Sequence, residues 1–259
     1  MSVGAGVDGD GRRRRLRRPP LGLPQSLILC QSVTTGDASA PTILSIFIKG
    51  ANPVSPENTI PPHLILILGG ARSGKSTFAE RLARKSGRSV AFIATATAGD
   101  EEMRERIARH RAARPASWHT IEEPLDLARA VLQAGKLADV LLLDCITLWL
   151  NNLYAQTIRQ HAHVSEEEQY NAIARLDETA LQEIEKLLKA VRSLNPGKPL
   201  LIVTNEVGLG IVPPYPLGRL YRDTLGYVNQ RLAQAADRVY LMVAGMGVDL
   251  KKLQEEASL

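Results

Sequence analysis

A short stretch that combines glycines, one lysine and two serines, GGARSGKS, has the residue types that bind phosphate. It follows the apolar run LILIL and precedes a segment of helical periodicity, so it joins a strand to a helix. Glycines let backbone N–H groups turn toward phosphate oxygens, and a helix N-terminus adds positive potential. The spacing predicts that Lys75 reaches the β- and γ-phosphates of a nucleotide and that the Ser76 hydroxyl ligates Mg²⁺. The predicted phosphate loop consists of Gly69, Gly70, Ala71, Arg72, Ser73, Gly74, Lys75 and Ser76.

Asp144 is the second candidate for the metal site. It ends the buried apolar run DVLLLD, and a phosphate loop needs an acid at the end of a neighbouring strand to hold the metal. A competing interpretation makes Asp144 the N-cap of the segment that follows. We expect the metal role, with Ser76 and Asp144 holding Mg²⁺ together.

A lone histidine, His110, stands among the arginines of RIARHRAARP. On a helix, Arg106, His110 and Arg114 would be spaced i, i+4 and i+8 and would share one face, while Met103 and Ile107 could pack inward. Arginines suit bidentate phosphate contacts, and their charge favours a neutral, nucleophilic imidazole. The helix C-terminus acts in the opposite direction. His110 is therefore a candidate nucleophile; the alternative is an ordinary solvated helix.

The elements that must position these residues alternate between strands and helices. Buried apolar runs predict parallel strands, and intervening periodic segments predict helices, so the fold class is α/β with a mainly parallel sheet flanked by helices. The predicted strands cover residues 64–68, 89–95, 118–123, 139–144, 199–205 and 237–245. The predicted helices cover residues 75–86, 100–112, a stretch after Pro124, 166–193 and 217–235.

The first 62 of the 259 residues differ from the rest and predict an irregular, disordered or spurious N-terminal extension. A signal peptide is the weaker alternative because the apolar stretch is short and interrupted by proline. Residues 1–63 carry seven basic and four acidic side chains, a net of +3, so only +2 of the total +5 belongs to the remainder. That nearly neutral remainder, the domain predicted over 63–259, gives no reason to expect a nucleic-acid partner.

The cysteine count and the hydropathy pattern bear on the compartment. Two cysteines, Cys30 and Cys145, do not form a disulfide framework, and no apolar run reaches the length of a membrane span. We therefore expect a cytoplasmic protein without a transmembrane segment.

Beyond the phosphate loop, the segments DEEMRERIARHRAARP, WHTIEEP, LLLDCITLWLNNL, VTNEVGLGIVP and LGRLYRDTLGYVNQRLAQAADRVYLMVAG occur in an order that resembles the adenosylcobinamide kinase/adenosylcobinamide-phosphate guanylyltransferase family of cobalamin biosynthesis. The resemblance covers residues 64–251. It implies a RecA-like P-loop NTPase fold and a bifunctional enzyme. The enzyme would phosphorylate adenosylcobinamide with ATP or GTP, then transfer GMP from GTP through a histidine to adenosylcobinamide phosphate, releasing pyrophosphate. It also implies a homo-oligomer, a trimer.

The resemblance assigns roles to individual residues. The GMP-carrying histidine lies in the segment H-x-x-x-R-P, which here is His110; many relatives have a second histidine just before it, where this chain has Arg109. Besides residues 69–76, the implied nucleotide contacts are Thr95, Ala96, Thr97, Arg111, Ala112, Ala113, Arg114, Glu122 and Asp144.

The sequence allows two interpretations of several further polar residues. Asn205 and Glu206 follow a strand end and are candidates for positioning the substrate hydroxyl or the metal, or are only turn residues. Arg219, Arg222 and Asp223 either bind phosphate or have a structural role, as an ion pair within the helix or as a subunit contact. His161 and His163 favour a solvated loop over a metal pair.

Two other functions compete with the bifunctional enzyme: a P-loop kinase without guanylyl transfer, and a nucleotide-dependent switch or nucleic-acid-associated ATPase that uses its arginine-rich tail.

Overall fold

The buried apolar runs form the predicted parallel sheet. The structure, a computed structural model, describes residues 63–99, 101–112 and 114–257, without the side chains of Glu102 and Arg106. The predicted N-terminal extension, residues 1–62, lies outside the described residues. The strands are β1 (Leu64–Gly69), β2 (Val90–Ala94), β3 (His119–Glu122), β4 (Val140–Asp144), β5 (Leu200–Val203), β6 (Arg238–Val243) and β7 (Met246–Asp249).

The sheet has the order β3-β2-β4-β5-β1-β6-β7, and its first six strands are parallel. Strand β7 pairs with β6 in the antiparallel direction and was not predicted, because MGVD is too short and mixed to give a period-two pattern. The phosphate-loop strand β1 and the Asp144 strand β4 are separated by one strand, β5, as in RecA-like P-loop proteins. The predicted α/β class and parallel sheet are confirmed.

Helices connect the strands and cover both faces of the sheet. They are α1 (Lys75–Lys85), α2 (Glu101–Ala112), α3 (Leu127–Leu137), α4 (Ile146–Gln160), α5 (Glu166–Ala174), α6 (Leu176–Arg192), α7 (Pro216–Ala235) and α8 (Leu250–Ala257). Within the described chain, no helix combines the length and the apolar character that a membrane crossing needs.

The prediction of one continuous helix over 166–193 is wrong, because the segment forms two helices, α5 and α6. Arg175 ends α5 and begins α6 with non-helical backbone angles of −94° and 4°. Neither glycine nor proline marks this break, so no pattern in the sequence predicts it. Helix α4 was missed although Ile146, Trp149 and Leu150 have the helical spacing of a buried face and are fully buried.

Alternate residues of the central strands β1, β2, β4 and β5 enter two separate apolar layers. Leu141 and Leu143 of β4 belong to the larger layer, which is built with α3, α4, α6 and α7. Leu142, between them, faces the smaller layer, where Ala79 and Ala83 of α1 pack. Because side chains alternate across a strand, a sheet covered on both faces needs continuous apolar runs, as these strands have. The sheet is therefore packed on both faces, and its carboxyl edge carries the polar loops.

Candidate nucleotide-binding and transfer site

The phosphate loop has the backbone that its glycines predict. Gly69 and Gly74 have φ of 153° and 95°, and a Cβ on Gly69 would overlap the carbonyl oxygen of Met242. Lys75 is 8% exposed, and its Nζ donates a 2.6 Å hydrogen bond to the Gly70 carbonyl. Lys75 is thus held back against the loop, close to where phosphate oxygens would replace the carbonyl as acceptor.

Ser73 adds an unsatisfied polar group to the same loop. Its Oγ is buried and has no hydrogen-bond partner among the described residues. A buried hydroxyl without a partner costs free energy, which a ligand can recover by supplying an acceptor.

A cavity of about 580 Å³ lies at the carboxyl ends of β2 and β4, under α2. This volume is within the usual range of small-molecule sites, about 300–1,000 Å³. The predicted site residues in its wall are Ser76, Ala96, Thr97, His110, Arg111, Arg114, Glu122 and Asp144. The fold therefore brings together residues that are up to 68 positions apart in the chain.

His110 is half-buried in the last turn of α2 and opens into this cavity. Met103 and Ile107 line the cavity as well, so the predicted inward stripe of α2 is confirmed. Arg109, the residue before His110, is exposed. The side chain of Arg106 lies outside the described residues, and so does Ala113. His110 is the histidine that the structure places against the other site residues.

Arg114 reaches the cavity by a different route from the predicted one. Helix α2 ends at Ala112, so Arg114 does not share its face; a turn, closed by Arg114 N–H donating to the Arg111 carbonyl at 3.3 Å, directs it back. Its guanidinium lies 3.3 Å from the centre of the Phe92 ring. Burial lowers the pKa of Arg114, although the carboxylates of Asp144 and Glu80 act in the opposite direction. Its Nε is buried and lacks a hydrogen-bond partner among the described residues, so the group is desolvated in advance of a ligand.

Arg111 and Glu122 form an ion pair across the cavity wall at 3.4 Å. Both side chains are more than half exposed, so the pair contributes little to stability, and Arg111 can exchange this carboxylate for a phosphate at small cost. Ala112 is exposed and is not among the residues of the cavity wall.

Asp144 and Ser76 line the same cavity, which fits their predicted role as oxygen ligands of a hard cation. The N-cap interpretation of Asp144 is wrong, because Cys145 occupies the N-cap of α4. In the described part of the chain, no three His, Cys, Asp or Glu side chains group closely enough to hold a metal. A Mg²⁺ ion here would need nucleotide phosphates and water to complete its shell, which is its usual behaviour.

Of the predicted contacts Thr95, Ala96 and Thr97, the first supports the loop from beneath and the other two lie in the cavity wall. Thr95 is fully buried, and its hydroxyl donates to the Cys145 carbonyl at 2.7 Å and accepts from the Cys145 N–H at 2.9 Å. Ala96 and Thr97 face the cavity. Burial raises the pKa of the Cys145 thiol to about 12, and Asp144 adds to the effect, so this thiol stays protonated.

Sequence reasoning missed Asn152, which joins the two walls of the cavity. Its amide nitrogen donates to the carbonyls of Thr95 and Pro124 at 2.8 and 3.2 Å. Its amide oxygen accepts from the Thr97 hydroxyl at 3.1 Å. The only signal in the sequence was a pair of asparagines in an apolar segment.

Glu80 was missed too, although it follows Ser76 by four residues and so lies on the same face of α1. Burial raises the pKa of Glu80, while the nearby Arg84 lowers it. Asp144, Arg114 and His110 are also close enough to affect it. Glu80 thus links α1 electrostatically to the residues around His110.

Asn205 and Glu206 lie at the same edge of the sheet but not in the wall of this cavity. The Asn205 N–H donates to Thr147 Oγ1 at 2.8 Å, and the Glu206 N–H donates to the Gly69 carbonyl at 3.0 Å. Glu206 lines a second cavity, of about 450 Å³, beneath α7.

The remaining candidates of the sequence analysis have structural contacts. Arg222 forms an ion pair with its neighbour Asp223 at 2.8 Å, so the pair in α7 joins adjacent residues and does not include Arg219. Arg219 donates to the carbonyls of Pro213 and Pro214. His161 bonds its own helix at the Thr157 carbonyl and, within the residues described, belongs to no metal group.

The strand order, the phosphate loop, and the arginine- and histidine-lined cavity at the carboxyl edge define a P-loop nucleotide-binding protein of the RecA-like class. The model of the family "Cobinamide kinase / cobinamide phosphate guanyltransferase" matches residues 65–250. This chain belongs to that family.

Relatives agree with this assignment over most of their own length. The bifunctional adenosylcobalamin biosynthesis protein CobP of Pseudomonas aeruginosa is 47% identical over 186 residues, which are 72% of this chain and 96% of that one. The corresponding CobU proteins of Salmonella typhimurium and Escherichia coli are 42% and 39% identical over 188 residues, 73% of this chain and 99% of each of theirs.

Solved structures are more distant. The RadB recombinase has a TM-score of 0.37 and 16% identity over 70% of this chain and 74% of its own. An ATPase from a bacterial type III secretion system has a TM-score of 0.42 and 13% identity, over 75% of this chain and 53% of its own. The fold class therefore rests on the strand order and the phosphate loop.

Proposed function

We propose that this protein phosphorylates the hydroxyl of adenosylcobinamide with ATP or GTP and then transfers GMP from GTP, through His110, to adenosylcobinamide phosphate. Family membership supports the two activities. The observation that carries the proposal for this chain is the shared cavity, in which His110 faces Ser76, Asp144, Arg111 and Arg114.

In the first reaction, the phosphate loop binds the nucleotide's β- and γ-phosphates with its N–H groups and Lys75. The acceptor hydroxyl attacks the γ-phosphorus, a new P–O bond forms, and the nucleoside diphosphate leaves with the electrons of the broken bond. Glu206 is our candidate for orienting that hydroxyl and taking its proton, since its N–H is fixed to Gly69 at the loop.

In the second reaction, a neutral His110 nitrogen attacks the α-phosphorus of GTP. A P–N bond forms, the bond to the bridging oxygen breaks, and pyrophosphate leaves. Arg111 and Arg114 hold the phosphates and neutralise the charge of the leaving group. A phosphate oxygen of the acceptor then attacks the same phosphorus, and His110 departs as the P–N bond breaks. Two easier displacements replace one difficult displacement.

Mg²⁺ fits the oxygen donors of Ser76 and Asp144, and when bound it would stabilise negative charge on the phosphates. Thr97 and Glu122 are assigned to the nucleotide because they line the same wall. The cytoplasmic location and the trimer remain predictions of the sequence analysis.

The test is protein-bound label from GTP labelled at the α- or the γ-phosphate, with Mg²⁺ and no acceptor. We expect α-label only, lost in acid and stable in alkali as a phosphoramidate. His110→Ala should abolish it. The matched control is His119→Ala, because His119 is an exposed histidine on β3 outside the cavity wall.

Retention of the label in His110→Ala would assign the covalent step to another residue. No α-label in wild-type protein that binds GTP would remove the guanylyltransferase half and leave a P-loop kinase.

A further inference from the structure

Residues 207–215, called here the apolar loop, display large apolar side chains to solvent. Ile211 is 97% exposed, Leu209 86%, Tyr215 73% and Val212 60%. Single exposed apolar residues are ordinary, but four within seven positions form a patch of the kind that marks a binding surface.

The apolar loop is fastened at both ends. At its start, the Gly208 N–H donates to the Glu206 carboxylate at 2.7 Å, and the Glu206 N–H is bound to the Gly69 carbonyl. At its end, the Arg219 guanidinium donates to the carbonyls of Pro213 and Pro214 at 3.0 and 2.8 Å. These bonds hold the loop in place with its apolar side chains outward.

The apolar loop lies near the residues proposed for both reactions. The apolar loop leaves β5, which lies between β1 with the phosphate loop and β4 with Asp144. Its base, Asn205 and Glu206, is hydrogen-bonded to both neighbours, through Gly69 at the end of β1 and Thr147 at the start of α4. Ligands of open parallel sheets bind outside the carboxyl ends of the strands, so the apolar loop borders the place where an acceptor must meet the phosphates.

The acceptor of the proposed reactions is too large for the nucleotide cavity. That cavity, about 580 Å³, has the dimensions of a small-molecule site and must already hold the nucleotide. A corrin macrocycle with its adenosyl group is larger than GTP, so the macrocycle has to rest outside on an apolar surface. The second cavity, about 450 Å³, adjoins the apolar loop at Gly208 and has Arg222, Asp223 and Gln230 in its wall. These polar groups suit the amide side chains at the edge of a corrin ring.

We propose that the apolar loop, together with the adjoining second cavity, is the platform that binds the corrin macrocycle of the acceptor. This inference rests on the proposed function and assigns a substrate site to it. The occupant is the acceptor and not a second copy of the chain, because the base of the loop is hydrogen-bonded to the phosphate loop, from the Glu206 N–H to the Gly69 carbonyl. Its nine residues are also far fewer than the roughly 20–30 that each side of a stable protein interface contributes.

The test compares three reactions of the Leu209→Ser/Ile211→Ser variant. We expect the KM for adenosylcobinamide in the kinase reaction, and for its phosphate in guanylyl transfer, to rise about tenfold or more, as expected when buried apolar contacts are lost. Labelling of His110 by GTP without acceptor should be unchanged, because that half-reaction does not use the platform. The control is Leu132→Ser, an apolar side chain of α3 that is 44% exposed.

Three results would overturn the inference: an unchanged KM for both acceptors, loss of the GTP label in the variant, or a lower molar mass by light scattering. The last would make the apolar loop a subunit contact. The thermal unfolding midpoint verifies folding, and the exposure of both side chains predicts little change. Label formation in the wild type reports on the proposed function separately, so a failure of that function is distinguishable from a failure of this site.

Discussion

The two helices that carry the proposed catalytic residues differ in how they are held. Helix α1, which begins at Lys75, buries Lys75, Ala79 and Ala83 and packs in the smaller apolar layer. Among the described side chains of α2, which carries His110, none is fully buried. The phosphate-binding half of the site is therefore part of the core, whereas the histidine half lies over it.

This difference implies that catalysis and stability are coupled in α1 and separable in α2. A substitution in α1 disturbs the packing of the sheet, while one in α2 alters contacts that solvent already reaches. The following predictions test that separation.

The largest expected effect concerns the two side chains that we propose as catalytic, Lys75 and His110. Lys75→Ala should lower phosphoryl transfer by on the order of 10²–10³, because a preorganised cation at the phosphates is lost. His110→Ala should abolish guanylyl transfer and leave the kinase reaction intact. Separate steady-state assays of the two reactions measure this. If His110→Ala also loses kinase activity, the two halves are not separable.

The same substitution, alanine to leucine, should destabilise the protein in α1 but not in α2. Ala79 is 0% exposed in α1, and Ala79→Leu should destabilise the protein by about 1–3 kcal/mol through overpacking. Ala108 in α2 is exposed, and Ala108→Leu should change the free energy of unfolding by less than about 0.5 kcal/mol. Urea unfolding of both variants gives the comparison. Equal losses of stability would mean that α2 belongs to the core.

A smaller effect is expected at Asn152, which fixes the loop before α2 to the rest of the cavity. Asn152→Ala removes its bonds to Thr95, Thr97 and Pro124, and each such bond contributes about 0.5–1.5 kcal/mol. We expect the KM for GTP to rise between about threefold and tenfold. The exposed neighbour Asn151 provides the control, and Asn151→Ala should leave the KM unchanged. An effect of the same size in both variants would exclude a positioning role.

The smallest effect concerns Glu80, whose carboxyl connects α1 to the His110 side. Folding raises the pKa of Glu80 above its ordinary value of 4.5. The free energy of unfolding is therefore highest below pH 4.5, where the carboxyl is protonated, and it falls as the pH rises through the folded pKa. Glu80→Gln should therefore match the wild type in acid and melt at a higher temperature at neutral pH. Thermal melts of nucleotide-free protein across this range test it; a lower neutral melting point would show that the ionised carboxylate is stabilising.

Features encoded by a short stretch of the chain were predicted correctly, whereas features that depend on contacts between distant residues were not. The apolar runs located the six parallel strands, and the glycine spacing located the phosphate loop. Asn152 and Glu80 escaped because their importance comes from contacts made across the fold. The break at Arg175 escaped because a non-helical residue without glycine or proline leaves no pattern.

The sequence by itself determined the α/β class, the phosphate loop, the family, and the candidacy of His110 and Asp144, since these depend on residue type and short-range spacing. Tertiary structure alone decided that Arg114 reaches the cavity by a turn, that Asp144 is not a helix cap, and that the apolar loop follows a strand lying between the phosphate-loop strand and the Asp144 strand. Those facts depend on which strands are neighbours and where helices end. Long-range packing sets both, and no short stretch of the chain encodes them.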